Sequence, residues 1–172
     1  ALAHALAECL DTNRQSCERI AFPGNTSGTL GKHIYALHHD PAAFGVQDMH
    51  PVSLQLLHVA AHIDSWNNLI FPALQAGKIV ILDRYWWSTW VYGLVSHSDP
   101  ESLELMLKIE KHHASSILPS VVFLIKRQIE NVPEKMKHVR LIKEYQKIAS
   151  REGILYPVVE IDNNGEPRET IK

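Results

Sequence analysis

The stretch Lys78-Ile79-Val80-Ile81-Leu82-Asp83-Arg84-Tyr85-Trp86-Trp87-Ser88-Thr89-Trp90-Val91-Tyr92 decides how the chain is read. Residues 79–82 form a short, unbroken apolar run that ends in a charged pair. A run of that length suits a strand buried on both faces, as in a parallel sheet. Asp83 and Arg84 then fall at the carboxyl end of the strand, the edge at which open α/β sheets bind ligands. Asp83 can hold a metal ion or orient a hydroxyl, and Arg84 presents a planar fork of donors suited to phosphate. Ser88, five residues past Asp83, reaches the same ligand if a helix starts here. The plainer reading is a strand-end ion pair followed by an aromatic-rich core helix. The spacing alone leaves both readings open.

Working outward, helices alternate with apolar strands. Residues 19–22 and 120–125 read as further strands, with 156–162 as a last one. Helices are expected over 1–10, from 29 onward, over about 53–76, 101–116 and 133–152. In the 53–76 helix Leu56, Ala60, Ile63, Ile70 and Leu74 mark the stripe expected to be buried, and Pro72 is expected to kink or end it. In the 101–116 helix Leu103, Met106, Leu107 and Glu110 lie along one side, and Leu105 and Ile109 along another. The stripe of the 133–152 helix is Met136, Val139, Ile142, Tyr145 and Ala149. The pattern is that of one α/β domain over 1–172 with a mostly parallel sheet flanked by helices.

The totals agree with such a domain. The chain has 172 residues, 45% hydrophobic and 21% charged, with a formal net charge of −2. That size supports a substantial core, and the charge gives no global basic field for nucleic acid. No apolar run approaches a membrane span. Cys9 and Cys17 form no zinc or C-x-x-C pattern, so a cytoplasmic setting is expected. His38-His39-Asp40 reads as a solvated turn. His58 and His62 sit four apart on one helix face, but the glutamate of H-E-x-x-H is missing and Asp64 lies on another face, so no metal site is expected.

Asp83-Arg84-Tyr85-x-x-Ser88, with the preceding Phe71-Pro72-Ala73-Leu74-Gln75-Ala76-Gly77-Lys78, resembles the D-R-Y-x-x-S motif and its approach in thymidylate kinases. The resemblance implies a phosphate-loop kinase fold, a homodimer, and transfer of the γ-phosphoryl group of ATP, with Mg2+, to a nucleoside monophosphate, above all dTMP. Asp83 would orient the acceptor or assist the metal through water, and Arg84 would bind the acceptor phosphate. His58, Ser88 and Tyr92 would line the base side. His58 stands where the family has an aromatic, and His62, as a weaker phosphate ligand, where it has an arginine. Asn25 lies near the position of a phosphate-contacting arginine in several members. Gly93 replaces a base-reading glutamine. Asn163 and Asn164 would lie near the adenine of ATP, and Lys126 and Arg127 are the remnant of a shortened lid or a solvated strand end.

The chain contains no G-x-x-x-x-G-K-[ST]: Gly31-Lys32 is followed by His33, and Gly77-Lys78 has Pro72 at the first glycine. The helix over 1–10 resembles the one that follows this loop. The first strand and phosphate loop, on the order of 15 residues, are therefore expected upstream of Ala1, and more residues near 126–131. The alternatives are a kinase of another monophosphate, or a catalytically dead nucleotide-binding relative of the same fold.

Overall fold

The computed structural model describes residues 2–24, 26–114, 117–127 and 132–164, with the side chains of 132–136 left aside. Two compact units are present, Ala3–His113 and Ala114–Lys172, the second joined by the first two residues.

In the larger unit, α1 (Leu2–Thr12) leads to β1 (Cys17–Ala21) and α2 (Leu30–His39). A 3-10 turn at Pro41–Phe44 precedes α3 (Pro51–Ser65), a π-helical turn (Trp66–Ile70) and α4 (Phe71–Gln75). Then come β2 (Ile79–Asp83), α5 (Trp87–Val95) and α6 (Pro100–His113). The strands pair in parallel, from Cys17 against Ile79 to Ala21 against Asp83. The core is built from Ile20, Phe22, Val59, Trp66, Ile70, Trp86, Trp87, Val91, Leu103, Met106 and Leu107, all buried. The smaller unit holds β3 (Val122–Lys126), α7 (Val132–Glu152) and β4 (Val158–Asp162), again a parallel pair. Lys126 ties that ladder at its carboxyl end, with Nζ 2.8 Å from Glu160 and 3.5 Å from Asp162. It is thus a strand-end ion pair, while residues 128–131, where a lid was expected to be shortened, lie outside the described residues.

Local chemistry explains the α2 start. Thr29 caps it by accepting from the Lys32 amide, and Asp64 of α3 accepts from the Leu30 amide at 2.9 Å. Two of the four orphan N–H groups of the helix are so satisfied. Gly31 is required there because a Cβ would stand 2.4 Å from the carbonyl oxygen of Pro23.

Several expectations need correction. The 53–76 helix is not one helix broken at Pro72. The run stays helical through a π turn (Trp66–Ile70) into α4, and Pro72 sits just past that turn, where the locally widened hydrogen bonding accommodates its missing N–H. Its buried face is Gln55, Val59, His62, Trp66, Ile70 and Ala73, whereas Leu56 is 49% exposed. The rotated face follows from what docks against it: α3 packs against α2, α5 and α6, and these neighbours decide which side is covered. His38 and His39 form the last turn of α2, not a loop. The two apolar strands are only partly covered: Ile79, Phe123 and Ile125 are exposed, and Leu124 is buried. On α6 the side with Leu103 is buried as expected, and Leu105 and Ile109 are each 55% exposed; Val139 of α7 is exposed too.

Gly93 of α5 is set by packing. A Cβ on it would lie 2.6 Å from Cδ2 of Leu103 on α6. Gly93→Ala is expected to lower stability by about 1–3 kcal/mol through this overpacking, read as a fall in the midpoint of thermal unfolding.

Candidate active site

The site is built at the carboxyl ends of β1 and β2. Asp83 closes the register opposite Ala21, and the amide of the next residue, Phe22, donates to the Asp83 carbonyl at 2.9 Å. The ladder therefore runs one bond past its last pair and fixes Phe22 beside the Asp83-Arg84 turn. Arg84 takes a left-handed backbone, φ 78°. For a residue with a Cβ this costs about 1–3 kcal/mol and persists only where the surroundings over-determine it. The turn brings the Arg84 guanidinium over the Tyr92 ring, 5.3 Å from its centroid. Tyr92 and Ser88 lie four apart on α5 and so share a face. The Ser88 amide donates to the Tyr85 carbonyl at 2.8 Å, which starts the helix at the spacing the motif requires.

Two residues whose part in the site the sequence did not declare complete it. Phe22, 2% exposed, stacks on the His62 imidazole with ring centroids 4.0 Å apart and planes 14° from parallel. His62 Nδ1 lies 2.9 Å from Oε1 of Glu110, a hydrogen bond between two buried side chains. The signal for Glu110 was present as the one carboxylate in an apolar stripe of α6. The signal for Phe22 was its place directly after a strand.

One turn earlier on α3, His58 Nε2 lies 3.2 Å from His38 Nδ1. Burial, then the positive fields of His38, His62, His39 and Arg84, hold the His58 imidazole far below its ordinary 6.5, at about 4. It is therefore a neutral ring near pH 7. His58, His62 and Arg84 thus share one neighbourhood, with Phe22 stacked on His62 and Asp83 directly before Arg84. Gly93 faces Leu103 and has no room for a glutamine, so the position that reads the base in the resemblance serves helix packing here. Asn25 lies outside the described residues. Asn163 follows β4 in the smaller unit, where its amide donates to the Lys126 carbonyl at 2.7 Å, and Asn164 is exposed beside it. Among the described residues no group of three or more His, Cys, Asp or Glu is placed to hold a metal ion. No helix among them is long and apolar enough to cross a membrane.

The family profile described as thymidylate kinase matches residues 2–159. The chain is 29% identical over 120 residues to a thymidylate kinase of Neorickettsia sennetsu, covering 70% of this chain and 55% of that protein. It is 32% identical over 126 residues to one from Bartonella henselae, covering 71% and 53%. A longer match, 26% identical over 176 residues, covers 95% of this chain and 81% of a thymidylate kinase from Synechococcus. The chain thus spans about half the length of the first two relatives. Among solved structures, a thymidylate kinase from Ehrlichia chaffeensis superposes with a TM-score of 0.66 at 22% identity, over 96% of this chain and 78% of that one. That likeness is one of fold.

The depressed His58 value has a consequence for stability. A group lowered on folding binds its proton more readily in the unfolded chain, so its contribution is full above about 6.5 and is lost as pH falls toward 4. The unfolding midpoint is expected to fall across that window, and His58→Gln is expected to flatten the slope. A residual slope remains from His38, which burial and His39 also lower.

Proposed function

The chain belongs to the thymidylate kinase family, and from that premise we propose that it transfers the γ-phosphoryl group of ATP to dTMP, giving dTDP. The observation that carries this reading is the left-handed Arg84 at the end of β2, which holds a cationic fork over Tyr92 at the ligand-binding edge of the sheet. Phosphoryl transfer asks little covalent chemistry of the protein; positioning and charge neutralisation supply most of the rate.

Arg84 binds the acceptor phosphate with two parallel donors. Tyr92 and Ser88, on one face of α5, line the base side. His58, neutral near pH 7, offers a flat ring for stacking in place of an aromatic. His62 gives the phosphate a second, weaker contact, and Asn25 belongs by resemblance to the loop that meets the same phosphate. Asp83, exposed at the strand end, is a hard oxygen donor of the kind magnesium takes, and it also accepts from the acceptor. Magnesium, when bound, neutralises charge on the phosphates being exchanged. Asn163 and Asn164 are assigned to the adenine side of ATP. The matched stretch runs through both compact units, which supports treating 1–172 as one kinase domain. The exposed Leu105 and Ile109 of α6 support a homodimer, and the free thiols of Cys9 and Cys17 a cytoplasmic setting.

Two outcomes are expected of the full chain. Incubated with ATP, Mg2+ and each common nucleoside monophosphate in turn, it forms dTDP from dTMP faster than any other diphosphate; equal turnover of another monophosphate rejects the thymidylate assignment. Arg84→Ala weakens dTMP binding by about 1.5–3 kcal/mol, one to two decades. ATP binding and the melting midpoint stay near wild type, and a collapsed midpoint with unchanged binding would make Arg84 structural instead.

A further inference from the structure

Glu110 is buried to 1% exposure on the side of α6 that otherwise carries Leu103, Met106 and Leu107. A carboxylate in such a place costs several kcal/mol of desolvation. Only Oε1 is repaid, by His62; Oε2 is buried and finds no partner among the described residues. Packing does not ask for this pair, since apolar side chains of similar volume at such a site are often neutral or more stable. The pair does what an apolar contact cannot do: it fixes one edge of an imidazole.

Three restraints then define the His62 ring. Its backbone is set by α3, its face lies on Phe22, and its Nδ1 edge points at Glu110. Stacking alone leaves the ring free to flip about its terminal torsion. The bond to Glu110 removes that freedom and assigns the proton on Nδ1, so Nε2 is the nitrogen left for another partner. Phe22, in turn, is tied by its amide to the Asp83 carbonyl. The ring plane is therefore referenced to the strand end that carries Asp83 and Arg84. The charged and titratable groups acting on it include Glu110 from α6, bonded to Nδ1, and His58 one turn back on α3; His58 in turn feels Arg84 after β2 and His38 and His39 of α2.

We propose that Glu110 is a positioning residue for the acceptor: by occupying Nδ1 it fixes the His62 ring and leaves Nε2 as the nitrogen that meets the acceptor phosphate beside Arg84. Glu110 itself touches no substrate. The inference rests on the kinase reading for the identity of the acceptor, while the ring geometry is independent of turnover.

The test uses the full chain with 15N-labelled histidine, the His62 signals being assigned from their loss in His62→Gln. In the wild type the protonated nitrogen is expected to be Nδ1, and dTMP or inorganic phosphate is expected to shift Nε2 more than Nδ1. Glu110→Gln keeps the shape and an acceptor oxygen but removes the charge. It is expected to weaken dTMP binding about fivefold to tenfold and to leave ATP binding unchanged. In the His62→Gln background the same change should add nothing, because the two residues act as one unit. Losses that add independently overturn the proposal, as does a lowered melting midpoint with dTMP affinity unchanged. If the chain turns over no monophosphate but phosphate still moves Nε2, the kinase reading fails and the positioning role stands. If neither dTMP nor phosphate moves Nε2, the positioning role fails whatever the activity.

Discussion

The amide of Phe22 donating to the carbonyl of Asp83 is a single backbone bond, yet the arrangement of the larger unit hangs from it. It extends the β1–β2 ladder beyond its last register pair and so decides where the chain leaves the sheet on both strands. On one side it seats the Phe22 ring in the core, against His62, Trp66 and Tyr85. On the other it holds the Asp83 backbone while Arg84 turns into the left-handed region. A backbone bond of this kind contributes only about 0.5–1.5 kcal/mol net. Its importance is geometric, because the strained turn and the buried ring stack are both referenced to it.

The larger unit thus joins a rigid floor to a set of side chains with different electrical characters. Arg84 is a fixed cation. His58 is held neutral, first of all by burial. His62 is coupled to a buried carboxylate. An anion entering this neighbourhood would meet one full charge beside two imidazole rings.

Much of the fold was legible in the sequence because the signals were local. The apolar run before Asp83 gave β2, and the spacing to Ser88 gave the start of α5. The strand residues around Ile20, Leu124 and Ile161 were read to within about two positions. The site residues flanking Asp83 were legible for the same reason, since one strand end and one helix start bring them close. What the sequence hid was long-range. Leu56 looked like a core residue and is exposed, because the covered face of α3 is set by α2, α5 and α6 packing against it, as in the His62–Glu110 contact between residues 48 apart. Gly93 looked like a lost specificity residue and is a packing contact with Leu103. Neither fact has a signature within a short window, since both depend on which helix lies alongside.

The π turn at Trp66–Ile70 bears on how this chain tolerates changes in length. Each residue added to or removed from an α-helix rotates everything beyond it by about 100°. A π turn is a helix that has absorbed one surplus residue without passing that rotation on. Loss of a single residue within this turn would let it relax to ordinary α geometry, leaving the His58–His62 face before it and the Ala73 face after it in their present directions. The same loss earlier on α3 would swing His62 away from both Phe22 and Glu110. Alignments across this segment should accordingly place a one-residue gap inside 66–70, because a gap anywhere upstream would pair the site histidines with the wrong columns.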